Sequence, residues 1–288
     1  MVRLGLMGNS SKPRFVPVVS SFVLLLRERG VKFLYDDENR HSIHLNPNEL
    51  APHNSLARDC DLVLSFGGDG TLLHTAAAVS KYGKPILGVN LGPGLGYLTD
   101  LESAHLHERL DDILTGNYVI EERMMIQATT EHDPTVHHAL NDFVIGQHEV
   151  SRTQAFQVFI DGAPAANYRA DGLIVASPTG STAYSLSAGG PIIEPTLQTI
   201  IVTPVCPHTL TMRPLAIADH RTVTIRSMGP GILTADGEHV RSLSIGEQVF
   251  VKKSPLTAKL VNIQRRDFYQ VLRDKLNWGA APDFSDER

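Results

Sequence analysis

The hexapeptide Phe66-Gly67-Gly68-Asp69-Gly70-Thr71 sets one carboxylate among three glycines, directly after the strand-like run Asp61-Leu62-Val63-Leu64-Ser65. Glycine lets a backbone approach a ligand closely and reach positive φ. The N–H groups that open a following helix point at whatever lies beyond it, and the helix dipole favours an anion there. This is the outline of a phosphate-binding turn. Asp69 would repel a phosphate, so its presence needs another purpose, either binding a metal or accepting a proton. In phosphoryl transfer to a hydroxyl, an aspartate that takes the hydroxyl proton is a standard part.

Two further constellations carry polar chemistry. The stretch 169–191 runs from Arg169-Ala170-Asp171-Gly172 through an apolar strand into Ser177-Pro178-Thr179-Gly180-Ser181-Thr182-Ala183-Tyr184-Ser185-Leu186-Ser187. Its hydroxyls and unobstructed N–H groups suit phosphate, ribose and adenine edges, and Tyr184 offers a ring to pack on a base. Asn141-Asp142, ahead of Phe143-Val144-Ile145, presents an amide and a carboxylate to a diol such as ribose. A plain turn explains the Asn-Asp pair equally well.

Several other chemistries lose their support. No glycine is followed by the spacing of a P-loop, and Tyr97 and Thr99 stand where a dinucleotide fingerprint after Gly92-Pro93-Gly94-Leu95-Gly96 needs glycine. Ser185-Leu186-Ser187-Ala188-Gly189 lacks the first glycine of a hydrolase elbow. The 13 histidines include no His-Glu-x-x-His, and adjacent His137-His138 would face opposite sides of a strand, so no residue is assigned as a metal ligand. Cys60 and Cys206 have no zinc or redox spacing and read as reduced thiols of a cytosolic protein.

Elements must position these groups. Apolar periodicity predicts strands at 2–7, 31–35, 61–65 and 85–89, with helices at 15–29 and 71–82 stopped by Gly30 and Gly83. This alternation implies an α/β domain with a parallel, Rossmann-like sheet. A single helix is expected over 103–114, with Ser103 as its cap and Gly116 past its end. Short runs at 120–130, 138–145, 155–160, 173–176, 199–203, 222–227, 248–252 and 260–263 then predict an all-β, sandwich-like second domain. A last helix is expected over 267–276. The resulting division is 1–115 for the α/β domain, 116–262 for the β-rich domain and 263–288 for a tail.

Composition fits this reading. Of 288 residues, 42% are hydrophobic and 20% charged, which excludes a disordered chain. The net charge of −5 lacks the basic footprint of a nucleic-acid binder. The apolar part of 15–26 holds Pro17, Ser20 and Ser21 and runs into Arg27-Glu28-Arg29, so it reads as a helix rather than a signal peptide. No run reaches the length of a membrane span, and a cytoplasmic protein is expected.

Taken together, the motifs resemble those of the NAD kinase family, ATP-dependent NAD 2′-phosphotransferases. The matching residues are Gly67-Gly68-Asp69-Gly70-Thr71, Leu95-Gly96-Tyr97-Leu98-Thr99-Asp100, Asn141-Asp142, the block 171–191, and Thr203-Pro204-Val205-Cys206-Pro207-His208-Thr209-Leu210. The glycine turn alone is shared with lipid kinases and 6-phosphofructokinases; the block 171–191 is specific. The resemblance implies an α/β domain, a β domain and a tail returning to the first, in homodimers or homotetramers whose site is shaped partly by a second subunit. It implies that Asp69 accepts the proton of the adenosine ribose 2′-OH, and that Gly67, Gly68, Gly70 and Thr71 line the phosphates. Asp69, Gly70, His74, Tyr97, Asn141, Asp142, Arg152, Arg169, Asp171, Thr182, Ala183, Tyr184, Ser185, Leu186, Ser187 and Glu238 would form the NAD pocket. The implied co-reactants are ATP or polyphosphate and a divalent ion, Mg²⁺.

The sequence departs from the family pattern in three places. Asp142 stands for the usual Glu, one methylene shorter. The loop from Asn90 to Tyr97 is one residue longer than the common form. Glu238 replaces the Gln of many relatives. Arg169 resembles the residue of NAD-preferring members. Two other readings remain open at this point: a related kinase acting on a lipid or another diol, and a non-catalytic dinucleotide sensor.

Overall fold

A computed structural model describes residues 2–147, 154–209 and 211–277. Its N-terminal part comprises β1 (Arg3–Gly8), α1 (Phe15–Glu28), β2 (Lys32–Asp36), β3 (Leu50–Ala51), β4 (Leu62–Gly67), α2 (Asp69–Val79), β5 (Pro85–Asn90), β6 (Leu101–Glu102) and α3 (Leu110–Thr115). β2, β1, β4 and β5 are parallel neighbours in that order. Parallel strands are buried on both faces, and these strands alternate accordingly. Leu4, Leu6, Leu62, Leu64, Leu87 and Val89 pack with Phe15, Val19, Phe22 and Leu26 of α1 and with Leu110 and Ile113 of α3. Met7, Val63 and Ile86, pointing the other way, pack with Leu72, Ala76 and Val79 of α2.

The helix expected over 103–114 is divided. A 3₁₀ turn covers Ser103–His105, and α3 starts only at Leu110. Ser103 makes no capping bond with its side chain; Leu106, Leu110 and Ile113 nevertheless all reach the core, so the apolar spacing survives the break. Gly30 and Gly116 end their helices with positive φ, as expected.

The remainder comprises β7 (Val119–Thr130), β8 (His137–Ala139), β9 (Asp142–Gln147), β10 (Gln154–Ile160), β11 (Ala163–Ala170), β12 (Gly172–Ala176), the single turn α4 (Tyr184–Ser187), β13 (Thr199–Val205), β14 (Leu215–Ala218), β15 (Val223–Ser227), β16 (Gly231–Ala235), β17 (Glu238–Leu243), β18 (Gln248–Asn262) and α5 (Phe268–Leu276). Six of these strands form an antiparallel sheet ordered β14-β13-β12-β9-β16-β17. Its inner residues Phe143, Ile145, Leu173, Val175, Ile200 and Val202 meet Ile126, Phe156, Val158, Ile225, Val249 and Val251 across a sandwich core. The α/β part and the β sandwich match the expected classes.

Their junction is tighter than two separate units would be. The runs expected at 248–252 and 260–263 are one 15-residue strand, β18. Its first half pairs with β15 and the far half of β7; after a register shift between Lys253 and Thr257 it pairs with the near half of β7. Lys259 and Leu260 then pair in parallel with Pro85 and Ile86 of β5. A 12-stranded sheet therefore passes through both parts. The sequence looks like two strands because Lys252-Lys253-Ser254-Pro255 interrupts the apolar alternation, and proline has no N–H for the ladder.

Asp100 secures the tail. Its Oδ2 accepts N–H bonds from Ile263 at 2.6 Å and Gln264 at 3.0 Å, just ahead of α5. Burial raises the Asp100 carboxyl above the usual range, and the two N–H donors oppose that rise. Asp100→Asn exchanges a charged acceptor for an amide. We expect a loss of about 1.5–3 kcal/mol in urea unfolding, with faster proteolysis at α5.

Candidate active site

β4 runs directly into α2. Gly67 is the last buried residue of the strand, Gly68 caps the helix and Asp69 is its first residue. The helix therefore starts earlier than the sequence suggests. Its ladder opens with Leu72 N–H donating to the Gly68 carbonyl at 3.1 Å, which leaves the N–H groups of 68–71 without helical acceptors. None of Gly67, Gly68 and Gly70 has positive φ, which corrects one expected use of these glycines. A Cβ on Gly67 would come within 2.1 Å of Thr71 Oγ1, so packing requires that glycine. A Cβ on Gly68 or Gly70 would meet nothing within 4 Å, so their openness has no packing cause.

Asp69 turns its carboxylate onto the loop after β5. Oδ2 accepts from Tyr97 N–H at 2.7 Å, and Oδ1 accepts from Leu98 and Thr99 N–H, both at 3.1 Å. A Cβ on Gly96 would lie 2.0 Å from Asp69 Oδ1, so the loop passes over the carboxylate only because residue 96 is glycine. Thr99 Oγ1 accepts Gly96 N–H at 2.8 Å and closes the loop. The buried Asn90 holds the segment that follows it by donating to the carbonyls of Gly92 and Gly94.

A second aspartate repeats this device. Asp236 accepts from the N–H groups of Leu140, Asn141 and Asp142 at 2.8, 2.7 and 3.1 Å. These amides serve Asp236 instead of a strand ladder, which is why the run expected at 138–145 breaks into β8 and β9. From the other side, Ser177 N–H donates to the Asn141 carbonyl at 2.8 Å. A Cβ on Gly180 would lie 2.1 Å from that carbonyl oxygen. The sequence marks Asp236-Gly237 only as a turn; the positive φ of both residues confirms the turn, but nothing local announces what the side chain holds. Burial, with Asp236 close by, pushes the Asp142 carboxyl up to about 7. Asp236 is raised as well, chiefly by burial, against its three N–H donors. The neighbouring Asp236 charge thus favours the protonated form of Asp142.

Asn141, Asp142, Ala183 and Tyr184 come together around a cavity of about 500 Å³, joined by Leu73 and Asp236, which the sequence did not single out. Tyr184 is exposed at 45% and free to stack on a ring. Tyr97 and Thr182 line a second cavity of about 440 Å³, walled by the β7–β18 ribbon and α5. His74 is exposed on the second turn of α2. Ser185 is fully buried and bonded to Thr203 Oγ1 at 2.8 Å, so it supports α4 rather than facing a ligand. Leu186 is half-buried, and Ser187 and Glu238 are exposed. Arg169 and Asp171 are exposed at the far end of β12, whose other end, Ala176, pairs with Asp142. Neither lines the cavity, whose edge at Val144 pairs with Ile174 in the middle of β12. Arg152 lies outside the described residues.

Fold and site together define a phosphotransferase-like architecture: a glycine-rich turn with an aspartate on an α/β sheet, joined to a polar loop cluster on a β sandwich. The sequence profile of the ATP-NAD kinase N-terminal domain matches residues 4–118, and that of the ATP-NAD kinase C-terminal domain matches 140–263. A protein of Moorella thermoacetica named NAD kinase is 40% identical over 286 residues, covering 98% of this chain and 91% of its own. The chain belongs to the NAD kinase family. Its fold is that of yeast NADH kinase, solved with NADH, with a TM-score of 0.89 at 23% identity, over 99% of this chain and 90% of that one. An NAD kinase from Archaeoglobus fulgidus, solved with ATP, gives 0.74 at 23% identity, over 96% and 97%.

Glycine substitutions separate packing from ligand space. Gly67→Ala and Gly96→Ala should lower the melting temperature, because each Cβ collides with Thr71 or Asp69. Gly68→Ala should leave it nearly unchanged while weakening nucleotide binding, as measured by calorimetry.

Proposed function

We propose that this chain carries out its family's reaction, phosphorylation of NAD to NADP, at the junction of the two parts, with Asp69 as the base. The observation that carries this reading is Asp69 at the opening of α2, flanked by glycines that face open space. The γ-phosphoryl group of ATP meets the free N–H groups of 68–71, which replace water as donors to its oxygens. The adenosine ribose lies against Asn141 and Asp142, and Asp142 accepts a ribose hydroxyl bond. The adenine packs on Tyr184.

The 2′-oxygen forms a bond to γ-phosphorus as the bond from that phosphorus to the β,γ-bridging oxygen breaks. The hydroxyl proton passes to Asp69, and ADP leaves with the bridging electrons. A carboxylate offers about four acceptor positions, and three are taken by the 97–99 amides, which leaves one for the hydroxyl. Holding the carboxylate this way fixes its orientation before substrate arrives.

The side chains at the turn do not form a Mg²⁺ cage. Asp69 is already committed to N–H donors, and the one metal-spaced cluster among the described residues contains two histidines. Mg²⁺ prefers oxygen ligands and usually travels on nucleotide phosphates, so the donor enters as MgATP. Polyphosphate offers the same chemistry to the same N–H groups. Arg169 and Asp171 are exposed and do not line the cavity of their own chain, and this supports a homodimer or homotetramer in which they complete the site of a neighbour. Both described cysteines, Cys60 and Cys206, are free, which suits a reducing cytoplasm. No helix among the described residues is long and apolar enough to cross a membrane.

Two outcomes follow from these roles. In a coupled assay for NADP, Asp69→Asn should lower kcat by about 10²–10⁴-fold, while calorimetric NAD affinity falls much less, because the amide keeps one oxygen for the 97–99 N–H groups; equal losses in both would remove its role as base. In the wild type, kcat/KM for NAD should rise as pH passes about 7, because only ionised Asp142 accepts a hydroxyl bond fully. Asp142→Asn should flatten that limb.

A further inference from the structure

We propose that Glu38, His53 and His74 form a binding site for a transition-metal ion of the zinc class, apart from the phosphate turn. Three segments separated in sequence meet here. Glu38 lies in the turn after β2, His53 follows β3, and His74 sits on α2. One nitrogen of each ring and one oxygen of Glu38 all lie within 4.8 Å of one another. The two rings are 4.9 Å apart at a 40° tilt. A tetrahedral ion with bonds of about 2.1 Å holds its ligands about 3.4 Å apart. Glu38 and His74 are exposed, so rotation of their side chains closes the difference without moving the backbone.

Asp36 supplies an independent sign of a built site. This carboxylate is 1% exposed, and its Oδ2 lies 2.8 Å from His53 Nδ1. Its Oδ1 accepts Glu38 N–H at 3.2 Å, so one buried group orients both the ring and the turn that carries the carboxylate ligand. Metal-binding histidines generally donate their second ring N–H to such a carboxylate, which fixes the tautomer and strengthens the ligand. With Nδ1 turned to Asp36, Nε2 of His53 is the nitrogen left for an ion; Glu38 Oε2 stands 3.4 Å from Nδ1 and has to rotate to the Nε2 edge of the ring to complete the set. Two imidazoles and one carboxylate suit Zn²⁺, Co²⁺ or Ni²⁺ better than Mg²⁺, and the open side leaves a fourth position to water. No short motif in the sequence announces this set, because each ligand comes from a different element.

His74 stands one turn beyond the start of the helix that Asp69 opens. An ion would hold its ring against His53 and away from a bound dinucleotide. The metal site itself does not depend on the kinase reading.

The test is calorimetric titration of the metal-free full-length protein with Zn²⁺, together with the visible absorption of Co²⁺. We expect one ion per chain and a four-coordinate Co²⁺ spectrum. His74→Ala, on an exposed helix face that tolerates alanine, should abolish both signals. Asp36→Asn should weaken Zn²⁺ by about 10–100-fold while the Co²⁺ spectrum is retained at saturation. Absence of stoichiometric uptake, or uptake unchanged in both His74→Ala and His53→Ala, would overturn the site. Uptake in a protein that forms no NADP would leave the site standing and remove the kinase reading; NADP formation without uptake would do the reverse.

Discussion

A carboxylate that accepts three consecutive backbone N–H groups is the interaction on which this site depends. Loop amides have no ladder to satisfy them, and leaving them unpaired in a partly buried position is costly. Consecutive N–H groups that converge form a pocket for an anion. Here two aspartate side chains fill such pockets. Asp69 gathers the amides of 97–99, and Asp236 gathers those of 140–142. Each bond to a charged acceptor contributes about 1.5–3 kcal/mol in favourable cases, so the loops are fixed before any ligand arrives. Asp100 does the same for the tail with two amides.

These fixed loops are useful only if they are also fixed relative to each other. β18 provides that by crossing from the sandwich into the parallel sheet, paired with β7 along nearly its whole length. The core is correspondingly continuous: Met125 and Leu140 of the β-rich part pack in the same cluster as Leu72 and Val79 of α2. Phosphoryl transfer relies on positioning more than on covalent chemistry by the protein. A site shared between two independently moving lobes would lose that advantage. Burial of Asp142 has a related effect, since a buried acceptor forms stronger hydrogen bonds than one in water.

Much of this was legible in the sequence, for identifiable reasons. β1 and β4 are largely apolar runs closed by Gly8 and Gly67, so period and punctuation agree. The turn at 67–71 is recognisable because an acidic residue among glycines is chemically odd. Asn141, Asp142 and Tyr184 do converge on one cavity. What stayed hidden depends on long-range partners. Asp236 reads as an ordinary turn residue, and its three amides lie nearly a hundred positions earlier in the chain. Ser185 reads as a ligand hydroxyl, but Thr203 and the close approach of Gly190 bury it. β11 is poor in β-branched residues and holds its form by pairing with β10. The unity of β18 is masked by Pro255, which a bulge absorbs.

Asp69 carries two duties in this account. It anchors the loop that shapes one wall of the site, and it keeps one acceptor position for the substrate hydroxyl. A crystal structure of the protein with NAD bound tests that combination most directly. The adenosine 2′-hydroxyl should lie within hydrogen-bond reach of the Asp69 carboxylate, with the amides of Tyr97, Leu98 and Thr99 still on it. A 2′-hydroxyl seated elsewhere, with Asp69 wholly occupied by the loop, would contradict it and leave Asp69 a structural residue.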